Sequence, residues 1–291
     1  MSHEVESIHS GSVAGSTAGE PERFDAQARG FDLRAGLPAS AASAVARAVL
    51  EIAAAGPDDL LVELGAGTGE IGQHLIESIR YVGLDRSRAM LELFGEKLAS
   101  ADDARVRLSR TDANRPWPVG DASAAVVFAS RVTHLLDAEQ LVAELQRVCR
   151  AGGHFLVGRV IRDPDGVKSR LRRQRRLLLG QQGVAPRDAK EATERALREL
   201  VGCGAVRVEP RSVATWTASA SVGEILDEWS EVGAMGGKQL SAATRASVLT
   251  EVESWAAREL GDLGKVAAWD ECYVLEGVRM AGHRRWACRV G

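Results

Sequence analysis

The chain has 291 residues, 45% of them hydrophobic and 26% charged, with a formal net charge of −3 at pH 7. This balance is typical of a globular protein with a sizeable core, and it argues against a chain that coats nucleic acid or anionic membranes. No apolar run reaches the roughly 18 residues of a membrane span, and no secretory signal is visible, so we expect a cytoplasmic protein. The four cysteines lie far apart without a Cys-x-x-Cys pair, and we predict no metal site.

The first 21 residues are rich in Ser, Gly, Glu and Ala, and we predict a disordered tail over 1–21. A single domain is predicted over 22–291. N-terminal helices are predicted over 22–55, because Phe24, Ala28 and Phe31 recur at helical spacing. A second helix is expected from Ser40 to Ala55, where Gly56-Pro57 ends it.

The segment 58–162 alternates predicted strands and helices, which favours a parallel sheet with helices on both faces. Its first strand, Leu60–Leu64, leads into three alternate glycines and then a helical pattern with Ile71, Leu75 and Ile79. Glycine allows positive φ and close approach of a ligand to the backbone. A helix N-terminus offers free N–H groups to an anionic group. Together these features predict a nucleotide-like cofactor.

Asp85 ends a short apolar run, and an alternating strand is predicted at 106–109. Asp137 is expected to begin a helix that ends at Gly152-Gly153. Beyond residue 162 we predict helices over 165–179, 187–201, 222–232 and 242–260. Between them lies one interrupted strand over 206–216. A final strand is predicted over 270–280. The helices at 22–55, 163–202 and 222–262 exceed the needs of the sheet, and we interpret them as a cap over the cofactor and its reaction partner.

A basic run, 168–176, lies in the first of these later helices. One interpretation is a solvated helix face whose leucines point inward. The other is attraction of an anionic substrate, such as a phosphate ester, an acyl carrier or RNA.

Two cofactor patterns compete at the glycine loop. The dinucleotide pattern G-x-G-x-x-G occurs from Gly67 to Gly72, but Gly65 holds the place directly after the strand, and Glu70 follows it five positions later. The second pattern, E-x-G-x-G-x-G, comprises Glu63, Gly65, Gly67 and Gly69. It resembles motif I of class I S-adenosylmethionine-dependent methyltransferases.

Four later segments continue this resemblance in order: 81–91 with Asp85, 111–113 with Asp112, 117–131, and 150–158 with Ala151 where proline is usual. The chain is similar to type 11 and quinone-biosynthesis methyltransferases over about residues 60–160. The resemblance implies an α/β, Rossmann-like, seven-stranded, mostly parallel sheet with an antiparallel last strand, helices on both faces and a helical cap.

The resemblance also implies residue roles. The cofactor-binding set is expected to be Glu63, Gly65, Ala66, Gly67, Gly69, Asp85, Arg86, Asp112, Ala113 and Ser130. Within it, Asp85 would take the ribose and Asp112 the adenine. Arg131 and His134 are candidates for the reacting centre, since a histidine near neutrality can accept a proton.

The implied reaction is methyl transfer from S-adenosyl-L-methionine to a small-molecule acceptor, by oxygen or carbon methylation, with S-adenosyl-L-homocysteine as product and no metal. Three alternatives remain open. The first is an RNA methyltransferase that uses the basic run 168–176. The second is an NAD(P)-binding oxidoreductase, and the third is a cofactor-binding regulator without activity.

Overall fold

The computed structural model describes residues 36–98, 105–184, 189–231, 234–235 and 238–282, together with Asp25 and Ala28. The predicted tail 1–21 and most of the first predicted helix lie outside the described residues. None of the described helices is both long and apolar enough to cross a membrane.

Seven strands form one sheet, and its order across the sheet is β3 Val106–Arg110, β2 Arg80–Asp85, β1 Leu60–Leu64, β4 Ala124–Ser130, β5 Cys149–Arg162, β9 Ala267–Arg279 and β6 Val206–Ala220. The first five of these strands pair with one another in parallel, whereas β9 is antiparallel to both β5 and β6. The predicted seven-stranded, mostly parallel sheet with an antiparallel last strand is therefore confirmed.

Eight helices accompany the sheet in the described part of the chain. They are α1 Ala39–Ala53, α2 Gly72–Leu75, α3 Arg88–Lys97, α4 Ala138–Val148, α5 Val167–Gln181, α6 Ala189–Gly202, α7 Val222–Ser230 and α8 Ala242–Glu259. A two-residue hairpin, β7 Ala234–Met235 with β8 Lys238–Gln239, was not predicted.

Two apolar layers cover the faces of the sheet. On one face, α1 packs with Leu75 of α2, Phe94 of α3 and the inward residues of the central strands. On the other face, Leu141 and Leu145 of α4 pack beside Leu197 of α6. Each helix of these two layers buries its apolar side against the sheet, as amphipathic helices do.

The expectation of a cap is wrong for two of its helices. The structure places α1 and α6 in the two layers against the sheet, because their apolar stripes are buried there. A separate apolar cluster joins α5, α7 and α8 to Trp269 of β9. Whether these three helices cover a bound acceptor stays a prediction.

Two local predictions also differ from the structure. The helix after the glycine loop spans only Gly72–Leu75, since the chain must enter β2 at Arg80; Ile71 and Ile79 are nevertheless buried. The interrupted strand at 206–216 is one strand, Val206–Ala220, with register shifts against β9 between Val208 and Arg211 and again near Ala214. Pro210 lies in the first shift, where a residue without an N–H group costs no ladder hydrogen bond.

Candidate cofactor site

The glycine loop that follows β1 adopts the conformation that its composition predicts. Gly65, Gly67 and Gly69 have φ angles of 67°, 56° and 77°, a region that favours glycine. The N–H groups of Gly65 and Ala66 both donate to the Leu84 carbonyl, at 2.8 and 3.1 Å. These bonds hold the loop beside the end of β2, so the loop forms one wall of a cavity.

A cavity opens at the carboxyl ends of β1, β2, β3 and β4. This is the edge at which open parallel sheets bind ligands. Ten of the predicted site residues line it: Glu63, Gly65, Ala66, Gly67, Asp85, Arg86, Asp112, Ala113, Ser130 and Arg131. The structure therefore brings together side chains from four strand ends that span almost seventy positions of sequence.

Two predicted site residues are not among those that line the cavity. A Cβ on Gly69 would lie 2.1 Å from Cδ2 of Phe94, so this glycine makes room for α3. His134 lies in the 3-10 turn Thr133–Leu135, and the residues around it, but not His134 itself, face the cavity. In such a tight turn successive side chains point in different directions, which the sequence could not reveal.

Sequence reasoning missed ten lining residues. They are Thr68, Glu70, Ile71, Leu84, Met90, Thr111, Asn114, Val132, Leu135 and Leu136. Most are immediate neighbours of predicted residues, and that adjacency was an available signal. Met90 is an exception, because it lies four residues beyond Arg86, in the first turn of α3.

Asp85 holds the glycine loop and the start of α3 with its two carboxylate oxygens. Oδ2 accepts from the Gly67 N–H at 2.9 Å, and Oδ1 accepts from the Ser87 N–H at 2.8 Å. Burial raises the pKa of Asp85, while the backbone hydrogen bonds of Ser87 and Gly67 oppose that rise. Because each carboxylate oxygen has a second lone pair, Asp85 can still accept from a ligand hydroxyl.

Glu63 is a buried acid at the base of the cavity. The Tyr81 hydroxyl donates to its Oε2 at 2.5 Å. Burial raises the pKa of Glu63 to about 8, and the nearby acids Glu70 and Asp85 add to this rise. A cation bound in the cavity would lower that pKa and stabilise the ionised form.

Asn114 ties the loop after β3 to the turn after β4. Its Nδ2 donates to the Leu135 carbonyl at 3.1 Å, and its Oδ1 accepts from the Asp137 N–H at 2.7 Å. Its own N–H donates to Asp112 Oδ1 at 3.0 Å. The predicted adenine-contacting residue Asp112 is thus fixed in orientation by its neighbour.

Ser130 and Arg131 end β4 at the opposite wall. The Ser130 hydroxyl and the Tyr273 hydroxyl lie 2.6 Å apart, and burial raises the pKa of Tyr273. Arg131 has φ of 58°, a backbone conformation that non-glycine residues rarely adopt. Its guanidinium forms an ion pair with Glu70, whose other oxygen accepts from the Leu37 N–H.

Comparison with known proteins agrees with this geometry. Residues 61–153 match the family model described as "Methyltransferase domain". An uncharacterized methyltransferase of Schizosaccharomyces pombe is 26% identical over 113 residues, which cover 36% of this chain and 40% of that protein. The chain thus spans less than half the length of this curated relative.

Among solved structures, a putative methyltransferase of Bacillus halodurans is similar with a TM-score of 0.54 and 14% identity, over 81% of this chain and 98% of that one. The [4+2]-cyclase SpnF is similar with a TM-score of 0.55 and 16% identity, over 90% and 96% of the two chains. At these identities the likeness shows the fold alone.

The residues that line the cavity all fall within the range 61–153 that matches the methyltransferase family model. The described part of the chain has a Rossmann-like α/β fold, which it shares with the solved structure of the putative methyltransferase.

Proposed function

We infer that the chain transfers the methyl group of S-adenosylmethionine to a small-molecule acceptor. The observation that carries this inference is the convergence of the glycine loop, Asp85 and Glu63 on one cavity within the methyltransferase domain. S-adenosylmethionine supplies an activated methyl group on a sulfonium centre. The chain's own residues bind the cofactor and the acceptor, orient them and exclude water from them.

The cavity fits such a cofactor in its chemistry. A buried acid with a raised pKa, Glu63, suits a ligand that carries positive charge. Asp85, beside Arg86, would accept from ribose hydroxyls, while Asp112 and the Ala113 N–H would contact the base. Apolar side chains of Leu84, Met90 and Leu135 complete the walls. These assignments rest on the placement of the residues together with the family resemblance.

The chemical step needs little more than position. Displacement at a methyl carbon is fastest when donor and acceptor are held in line, which the enzyme achieves by binding both. Because charge is neutralised as the methyl group leaves sulfur, a dry cavity favours the reaction. Ser130 and Arg131 stand at the end of β4, where an acceptor would approach. We favour oxygen or carbon as the methylated atom.

Thermal unfolding tests the cofactor. S-adenosylhomocysteine at 100 times its Kd should stabilise the chain by about 2.7 kcal/mol. The Asp85→Asn variant should weaken this ligand at least about tenfold, since hydrogen bonds to a charged group contribute roughly 1.5–3 kcal/mol. Asp227→Asn, an exposed change on α7, is the matched control. Stabilisation by NAD(P) and not by S-adenosylhomocysteine would replace this proposal with an oxidoreductase.

Incubation with labelled cofactor and cell extract, fractionated by size, tests the acceptor. Label in the small-molecule fraction supports the proposal, and label in RNA would move it to the RNA methyltransferase alternative. Tight S-adenosylhomocysteine binding with no transfer to any fraction would contradict a methyltransferase activity.

A further inference from the structure

The basic run 168–176 divides into two faces of α5. Lys168, Arg172 and Arg175 are spaced four and three residues apart, so they share one face of the helix. Arg173 lies on another face, exposed, and donates to the Pro164 carbonyl at 2.8 Å. The solvated-face interpretation therefore describes only part of the run.

Two acids neutralise the cations around the first of these faces. Lys168 pairs with Glu228 at 3.2 Å, and Arg162, at the end of β5, pairs with Glu271 at 2.7 Å. Glu271 also accepts from the Trp269 indole N–H at 2.9 Å, which fixes its position. The charge of both acids is thus already matched by a cation.

Arg172 and Arg175 are the positive charges of this region that no acid of the described residues pairs with. Within the described part of the chain, neither guanidinium donates a hydrogen bond or forms an ion pair. Desolvation lowers the pKa of Arg172 to about 10, and Arg162 and Arg175 add repulsion. Yet Arg172 is exposed to solvent. Because Arg172 is exposed, a ligand in solution can reach its guanidinium.

The stacking of Arg175 leaves its donors available. Its guanidinium carbon lies 3.9 Å from the centre of the buried Trp229 ring. Such stacking uses the flat face of the guanidinium, whereas its N–H groups point outward in the plane. Trp229 therefore orients the guanidinium of Arg175 without accepting hydrogen bonds from it.

The two arginines lie at the same edge of the sheet as the cofactor cavity, where the parallel strands end. Ser130, where β4 ends, pairs with Gly158 of β5. Arg162 is four residues further along β5, about 13 Å beyond that point at the usual rise of a strand. Helix α5 begins five residues after Arg162, and Arg172 is close enough to both Arg162 and Arg175 to be repelled by them. The two arginines therefore lie near the carboxyl end of β5.

We propose that Arg172 and Arg175 bind a phosphate or diphosphate group of the methyl acceptor. Paired guanidinium forks match phosphate oxygens in geometry and charge. The acceptor would then extend from the cavity toward α5, with its anionic end on the arginines. This proposal rests on the proposed methyl transfer for the role of the ligand, but the anion site itself does not.

Calorimetric titration of the full chain with inorganic pyrophosphate tests the site. We expect saturable binding that Arg172→Gln weakens at least about tenfold, because charged hydrogen bonds are lost. Arg173→Gln removes the same charge one residue away and should change the Kd less than about twofold. Equal losses in both variants, or no saturable binding, would overturn the proposal.

Arg175→Gln is a second variant at the site. Because it removes the stacking on Trp229, its thermal unfolding must be compared with that of the parent chain. Arg172→Gln has no such packing role and keeps the test decisive if Arg175→Gln fails to fold.

The labelled product from cell extract connects the site to the acceptor. We expect it to bind an anion-exchange resin and to lose that retention after phosphatase treatment. A neutral product would overturn the acceptor class while leaving methyl transfer intact. Conversely, pyrophosphate binding without S-adenosylhomocysteine binding would contradict the proposed function and leave the anion site standing.

Discussion

The Tyr81 hydroxyl donates a 2.5 Å hydrogen bond to Glu63 Oε2, and both residues are buried. This bond opposes the rise in the pKa of Glu63, but burial outweighs it and the pKa reaches about 8. Near neutral pH the base of the cavity therefore holds a protonated acid. Loss of that proton depends on what binds above it.

Cofactor binding should release a proton. A ligand ammonium near Glu63 lowers the pKa of this acid, so below about pH 8 binding and ionisation are coupled. Affinity for S-adenosylhomocysteine should rise as the pH increases from 6 to 8, by up to about tenfold per unit, and level off above. Calorimetry in two buffers of different ionisation enthalpy measures the proton. Glu63→Gln should abolish both effects; an unchanged pH dependence in that variant would contradict the coupling.

The same acid should make stability depend on pH. Its pKa is about 8 in the folded chain against a usual value of 4.5, so the folded state holds the proton more tightly. Its contribution is fully present below pH 4.5 and is lost as the pH rises to 8, at about 1.4 kcal/mol per unit. Urea unfolding at several pH values should show that the free energy of unfolding of Glu63→Gln rises relative to that of the parent chain between about pH 4.5 and 8. Parallel curves for the two chains would refute the assignment.

Two glycines of the loop should differ in their tolerance of alanine. Gly67→Ala meets only a backbone oxygen at 3.9 Å, so its cost is the left-handed backbone, about 1–2 kcal/mol. Gly69→Ala adds a collision with Phe94, and overpacking costs about 1–3 kcal/mol more. Chemical denaturation should rank Gly69→Ala as the less stable variant. The reverse order would mean that α3 moves aside easily.

His134→Ala should leave ligand binding intact. The residue does not line the cavity in the described structure, whereas its neighbour Arg131 does. We expect a change of less than about twofold in the Kd for S-adenosylhomocysteine and in the rate of label transfer from the cofactor. A large fall in transfer rate with unchanged binding would restore His134 as a base.

Strand positions were predictable where the local pattern is strong. The bounds Leu60–Leu64 of β1 match the prediction, because an apolar run is closed by glycines. Other features depend on contacts between distant positions. Glu70 reaches Arg131 across 61 positions and Leu37 across 33, and no local pattern encodes such pairs. Likewise, the amphipathic pattern of α6 does not say which apolar surface it will meet.

Asp25, which precedes the residues matched by the family model, contacts the helix that borders the cavity. Asp25 accepts from the Ser87 hydroxyl and from the Ala89 N–H at 3.1 Å, at the first turn of α3 beside Asp85. The family match begins at residue 61, yet a carboxylate 36 positions earlier helps to hold the rim of the cavity. A recombinant fragment cut to the matched residues would lose that support. The smallest expression fragment that retains it starts at or before Asp25.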